Sequence, residues 1–259
     1  DPMKPSELRR IISRGDYRGN TSGHCPGFVQ CNLVILPTEA ASDFKEFCHL
    51  NPKPCPLLAV SSVAGDYSLP ELGDIDVRTD LPSYRIFKDG LIEEEVTDIT
   101  SIWNDRFFAF ALGCSFSFEE ALLEHGLEIR NISQNVNVPM YVTNLECKTA
   151  GSFAGNMVVS MRPFIEADAI QAAEISSRFP SVHGAPIHIG DPAEIGIESL
   201  ELPDFGESVV VKNKEIPVFW ACGVTPQVAL QNAKLPFAIT HTPGCMLVTD
   251  LKNDQLAES

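Results

Sequence analysis

Apolar and polar positions change period several times along the chain, and each change marks an element. Pro5 to Gly15 repeats at helical spacing, with Leu8, Ile11 and Ile12 on one face, Ser6 as a cap and Gly15 as the stop. Phe28 to Leu36 is a block rich in Val, Ile and Leu closed by Pro37, which predicts a buried strand. Thr38 to Leu50 predicts a helix with Ala41, Phe44, Phe47 and Cys48 inward, and Leu57 to Val63 a further strand. Strand, helix and strand in this order predict a layered α/β domain.

Gly65 to Asp98 breaks the pattern. Ten acidic residues face only Arg78, Arg85 and Lys88, and Pro70, Gly73, Pro82 and Gly90 interrupt it, so it reads as a solvated loop with an edge hairpin turning at Lys88-Asp89-Gly90. Ile99 to Leu112 is apolar and aromatic and predicts a buried helix leading to Gly113. Pro139–Asn144 and Asn156–Met161 predict paired strands, followed by a helix over Glu166–Phe179. Strand-like segments at 186–189, 208–212, 216–220 and 246–249 are available to rejoin the first sheet. The expected fold is mixed α+β: a main α/β domain over 3–130 and 205–259, with a smaller α+β domain over 131–204 inserted.

Composition narrows the function. The chain has 259 residues, 44% hydrophobic and 21% charged, enough for a real core without disulfide staples. A formal charge of -16 argues against nucleic-acid and anionic-membrane partners, because phosphate would be repelled over the ~8 Å screening length. It does not exclude an anionic small molecule, since a few pocket arginines dominate locally. No apolar run reaches the ~18 residues of a membrane span, and Asp1 to Gly19 lacks the apolar core and cleavage site of an export signal. Asp1-Pro2 reads as an extraneous addition ahead of Met3. The eight scattered cysteines therefore read as reduced thiols of a cytoplasmic protein. No CxxC, HExxH or His-x-His pattern pre-arranges metal ligands, and no Gly-rich nucleotide motif occurs.

Several strings carry candidate chemistry. Gly113 to Glu120 precedes a helical pattern, so Cys114, Ser115 and Ser117 sit where free N–H groups and the positive dipole end can hold a carboxylate. Ser117 and Glu120 have capping-box spacing, which makes Glu120 structural, whereas Glu119 is free for acid–base work. Met161-Arg162-Pro163 places a cation at the end of an apolar strand, suited to clamping a carboxylate. His188, with Asp191 in the following turn, and His241 are candidates for proton transfer. Arg78, Asp80, Tyr84 and Arg85 form a dense polar string, and Trp220 can wall a pocket.

Taken in order, these strings resemble the D-glutamate cyclase family, whose bacterial members are described as hydro-lyases. The carriers are Pro26 to Gln30 with Asn32-Leu33, Asn51-Pro52-Lys53-Pro54-Cys55-Pro56, Asp76 to Arg85, Gly113 to Glu120, Met161-Arg162-Pro163, His183 to Gly190, and Val218 to Gln227. The chain departs from the family pattern where Asn131, rather than histidine, follows Arg130, and in carrying His24, so these three stay outside the expected site. The resemblance implies reversible dehydration of D-glutamate to 5-oxo-D-proline, a two-part α/β architecture and no organic cofactor. On that reading Arg162, Arg78 and Arg85 clamp carboxylates, with Asp80 and Tyr84 orienting them. Amides near Ser115 to Ser117 stabilise the oxyanion. Proton transfer falls to His188 with Asp191, then His241, then Glu119, and Cys114 is a lesser covalent candidate. The partner is a small dicarboxylic or amino acid, with a homo-oligomer left open. The rivals are a hydratase or dehydratase of another small acid and a non-catalytic carboxylate sensor.

Overall fold

The computed structural model describes residues 2–259. In chain order its elements are α1 (Pro5–Ser13), β1 (Phe28–Pro37), α2 (Thr38–Leu50), β2 (Leu57–Val60), β3 (Tyr84–Lys88), β4 (Leu91–Val96), β5 (Phe107–Leu112), α3 (Phe116–Glu124), α4 (Arg130–Ser133), β6 (Met140–Glu146), β7 (Asn156–Ile165), α5 (Glu166–Ser177), β8 (His188–Ile189), β9 (Glu215–Ala221), α6 (Val224–Ala233), β10 (Ala238–His241) and β11 (Leu247–Lys252). They form two sheets. The first runs β2-β5-β1-β10-β3-β4, with β11 pairing a further stretch of β1, and the second runs β6-β7-β9-β8. All strand pairings are antiparallel, so the fold is mixed α+β, as expected.

Three expectations need correction. The helix expected over 99–112 is a short 3-10 turn at Thr100–Ile102 followed by β5. Phe107, Ala109 and Ala111 face one layer and Phe110 and Leu112 the other, so a strand buried on both sides shows no alternation and mimics a buried helix. Residues 208–212 form no strand, and 216–220 lie within β9, inserted between β7 and β8 of the second sheet rather than in the first. The acidic stretch is not simply solvated: Leu69, Leu72, Ile75, Val77 and Leu81 are buried against the first sheet beside Val29, Leu33 and Ile35. The hairpin does turn where expected, with Asp89 and Gly90 at φ of 51° and 81°, the left-handed pair that suits a tight two-residue connection.

Helices are exchanged between the sheets. α3 follows β5 of the first sheet, yet its Phe118 and Leu122 pack with Phe164, Val218 and Trp220 of the second. α6 follows β9 of the second sheet, yet its Ala229 and Leu230 pack with Val34, Leu36 and Phe110 of the first. α2 contributes Phe44 and Phe47 to that same layer, and α5 contributes Ala169, Ala172 and Ile175 to the other. Fully buried aromatic side chains contribute roughly 1.5–3 kcal/mol each, so Phe118 stacked on Trp220 at 5.4 Å between centroids is a substantial tie between the halves.

Gly113 lies where β5 leaves the first sheet. A Cβ there would meet Val182 Cγ1 at 2.6 Å and the Ser181 carbonyl oxygen at 2.9 Å. Gly113→Ala should therefore cost about 1–3 kcal/mol through overpacking. Equilibrium urea unfolding measures it, and an unchanged midpoint would show that the 181–182 segment yields freely.

Candidate active site

The helix exchange brings two strand-to-helix junctions to the seam between the sheets. β5 passes through Gly113-Cys114-Ser115 into α3, and β9 passes through Cys222-Gly223 into α6. Neither helix has a side-chain cap at its first residue, so first-turn amides keep donor capacity. The Cβ position at Gly223 lies 2.7 Å from Asn32 Nδ2 and 3.9 Å from His183 Nε2, which places the α6 junction directly against both residues.

Arg162 is the centre of this seam. On β7, Ser160, Arg162 and Phe164 project to the face that carries Val218 and Trp220 of β9, toward α3. The Arg162 side chain is fully buried. Its Nη1 donates to Ser160 Oγ at 2.8 Å and its Nη2 to the Glu119 carboxylate, while Ser115 Oγ donates to Glu119 Oε1 at 3.1 Å. The guanidinium carbon lies 5.1 Å from the Phe118 ring centre and 5.2 Å from that of Trp220. Arg162 Nε is buried without a hydrogen-bond partner, an arrangement that costs about 1–3 kcal/mol unless an acceptor arrives.

His183 adds an imidazole to the same centre. It ends the 3-10 turn Pro180–Val182 at φ 85°, a left-handed conformation uncommon outside glycine. Its Nδ1 lies 2.7 Å from the Lys53 carbonyl oxygen. A carbonyl only accepts, so Nδ1 carries the proton and Nε2 keeps its lone pair for the side facing Gly223. Burial first, then the charges of Arg162 and Lys53, lower its pKa to about 4, against the Lys53 carbonyl, which raises it. The half-buried Lys53 ammonium donates to the Ala185 carbonyl oxygen at 2.8 Å, and burial lowers its pKa.

Thiols complete the surroundings. Burial pushes Cys114 up to about 12 and raises Cys31 and Cys222, although the Phe116 and Val224 amides at the two helix starts pull Cys114 and Cys222 back. These groups are therefore protonated thiols near neutral pH, which argues against Cys114 as a resting nucleophile. Among the described residues all eight cysteines are free, and no three His, Cys, Asp or Glu side chains gather to hold a metal ion.

Of the residues expected from the sequence, Arg162, Glu119, Ser115 and Cys114 meet here. Trp220 stacks beneath them, its indole N–H donating to Ser176 Oγ at 3.0 Å. Ser117 is buried one step away and donates to Asn253 Oδ1 at 2.7 Å, not to a capping box. Glu120 is structural, accepting from Asn253 Nδ2 and the Gly27 amide.

The rest lie elsewhere. Arg78 is held by Asp76 at 2.8 Å and stacks 3.5 Å over the Tyr67 ring centre, and Arg85 pairs with Glu95 across the hairpin at 2.7 Å. Asp80 accepts from the Asp76 amide, and Tyr84 donates to the Val77 carbonyl at 2.7 Å, so both stitch the acidic segment together. His188 is opposite Phe219 on β9, whereas Arg162 is opposite Val218, so the two project to opposite faces of the second sheet. His188 Nε2 lies 2.7 Å from the backbone oxygen of Asp191, and the Asp191 carboxylate accepts from the Ala193 amide, so they form a local turn and not a proton-transfer pair at Arg162. His241 is buried on β10, accepting from the Leu33 amide at Nδ1. With Arg85, Gln227, Gln231 and Thr240 it lines a cavity of about 30 Å³, room for about one water and not for a dicarboxylic acid.

His183, Lys53, Asn32 and Cys222 were missed as site residues. Three of them lie in strings that carried the family resemblance, and Cys222 lies in a fourth, but nothing local distinguished them from packing residues.

Two antiparallel sheets with exchanged helices, closed over a buried arginine–carboxylate centre and an uncharged imidazole, define the α+β architecture of the protein. The chain belongs to the D-glutamate cyclase family, a family of enzymes: that family's model matches residues 108–250, from β5 to β11. Among curated relatives, a protein of Bradyrhizobium diazoefficiens named "putative hydro-lyase" is 59% identical over 258 residues, 99% of this chain and 94% of that one. Similarly named proteins of Burkholderia multivorans and Rhodopseudomonas palustris are 55% identical (99% of both chains) and 57% identical (98% and 94%). Among solved structures, a nitrogen repressor-like protein of Methanococcus jannaschii aligns over 92% of both chains at 9% identity and a TM-score of 0.36, too distant to inform either fold or function.

Two outcomes are expected from the centre's electrostatics. Arg162→Ala should destabilise the protein by about 3–5 kcal/mol, because Glu119 is left buried and unpaired, whereas Arg162→Met with Glu119→Leu should recover most of that loss in urea unfolding. Equal losses would mean that packing, not charge, is at stake. Burial also lowers His241 to about 4, like His183, so the unfolded chain binds more protons than the folded one between about pH 4 and 6.5. Stability is then full above about pH 6.5 and falls as pH drops through that window, by on the order of 3 kcal/mol per histidine. Asp80, raised by burial, acts with the opposite sign. Urea midpoints across pH should show this slope, and His241→Gln should remove about half of it.

Proposed function

We propose that the protein catalyses the reversible dehydration of D-glutamate to 5-oxo-D-proline at the Arg162 centre. The observation that carries this reading is Arg162 itself: a fully buried guanidinium, anchored to Ser160 and Glu119, with Nε uncommitted beside the start of α3. Family membership and the names of the relatives support the reaction class.

The proton balance fits a site with one mobile imidazole. The substrate ammonium carries three protons and the product lactam nitrogen keeps one. The two protons lost are the two that convert the departing γ-carboxyl oxygen into water. Ring closure therefore needs no net acid or base, only transfer from nitrogen to oxygen within the site. His183 Nε2 is the acceptor the geometry supports, replacing His188, which faces the other way. Burial first, then the charges of Arg162 and Lys53, hold its pKa down; a dicarboxylate bound between the two cations offsets their part and raises it. Arg162 holds the folded-back substrate, lowering the entropic barrier to closure, and first-turn amides of α3 stabilise the developing tetrahedral oxyanion.

Incubation with D- and L-glutamate and both 5-oxoproline enantiomers, followed by chiral chromatography, tests the reaction. Conversion of the D pair is expected. His183→Gln should lower turnover by about 10²-fold or more with KM little changed, whereas His188→Asn should stay within about threefold of the parent. The reverse ranking would move the acid–base role to His188. Absence of conversion with any of the four, against activity on another hydroxy or amino acid, would favour a different hydro-lyase.

A further inference from the structure

The centre contains a second cation that no carboxylate of the chain neutralises. Lys53 projects from the loop between α2 and β2, and its ammonium makes one hydrogen bond, to the Ala185 carbonyl at 2.8 Å. Among the described residues it belongs to no ion pair, although the chain carries 35 acidic residues against 19 basic ones. The other lysines and arginines outside ion pairs are all exposed, so Lys53 is set apart by being half-buried without one. A half-buried ammonium has lost much of its hydration, and a neutral carbonyl compensates it only in part.

Its placement is fixed by the same contacts that fix His183. The Lys53 backbone oxygen holds His183 Nδ1, its side chain runs past Gly184, where a Cβ would sit 3.6 Å from Lys53 Cε, and its ammonium caps the next carbonyl. Lys53 and Arg162 are the two charges acting on the His183 ring. Two cations of different kind thus act on one imidazole: a rigid, buried fork anchored to Glu119 and Ser160, and a flexible ammonium with two donors uncommitted.

We propose that Lys53 is the second carboxylate anchor of the site and makes it selective for dicarboxylic over monocarboxylic acids. This rests on the proposed reading, in which the open-chain substrate carries two carboxylates and the cyclic product one. One carboxylate binds Arg162 and the amides of α3, and the other binds the Lys53 ammonium. Ring closure removes one of the two charges, so the product loses one anchor and leaves more readily than the substrate.

Calorimetric titration of glutarate and of butyrate into the parent protein and Lys53→Met tests this without turnover. The methionine keeps the apolar stem and leaves the backbone oxygen that holds His183 in place. The expected result is tighter binding of glutarate than butyrate to the parent, a loss of about 10–100-fold for glutarate in Lys53→Met, and butyrate within about twofold. Unchanged glutarate binding, or equal losses for both acids, would overturn the proposal. Parent protein that binds neither acid would overturn it too. Selective loss of glutarate in a protein that turns over no form of glutamate would sustain the Lys53 assignment and sink the cyclase reading alone.

Discussion

The pairing of Arg162 with Glu119 inside the seam is the interaction on which the rest depends. A fully buried guanidinium is tolerable only where its charge is met and its faces are covered, and both conditions are supplied from distant parts of the chain. Glu119 and Phe118 come from α3, which leaves the first sheet, whereas Ser160 and Trp220 come from strands of the second. The exchange of α3 and α6 is therefore more than a packing detail. It is what carries a carboxylate grown on one sheet to a cation grown on the other.

The distribution of positive charge follows from the acidic character of the chain. With 35 acidic side chains available, most arginines find a carboxylate locally: Asp76 is two residues from Arg78, Glu95 lies across a hairpin from Arg85, and Glu128 and Glu215 clasp Arg130. Those pairs hold loops and strand ends in place. Lys53, half-buried without an ion pair, and the open Nε of Arg162 both belong to the seam.

Much of this was legible in the sequence, and the failures have physical causes. The strands β1, β6, β7 and β11 and the helices α1, α2 and α5 announce themselves by period and by their Pro and Gly punctuation. β5 did not, because a strand apolar on both faces carries no alternation. β10 was hidden because it ends in Thr240-His241, polar residues that are buried by partners far along the chain. Within the site, Arg162 and the start of α3 were visible as a cation after an apolar strand and small residues before a helix. The choice between His183 and His188 was not. It turns on which residue of β9 lies opposite His188, a register that no local pattern prints.

The strand order also constrains how such a protein is made. β1 lies near the amino end, yet two of its neighbours, β10 and β11, are contributed by residues 238–252. The second sheet, by contrast, draws all its strands from residues 140–221 and can pair while the chain is still growing on the ribosome. The central strand of the first sheet therefore waits for these neighbours until residues 238–252 have been synthesised, and an edge left open for that interval invites wrong pairing.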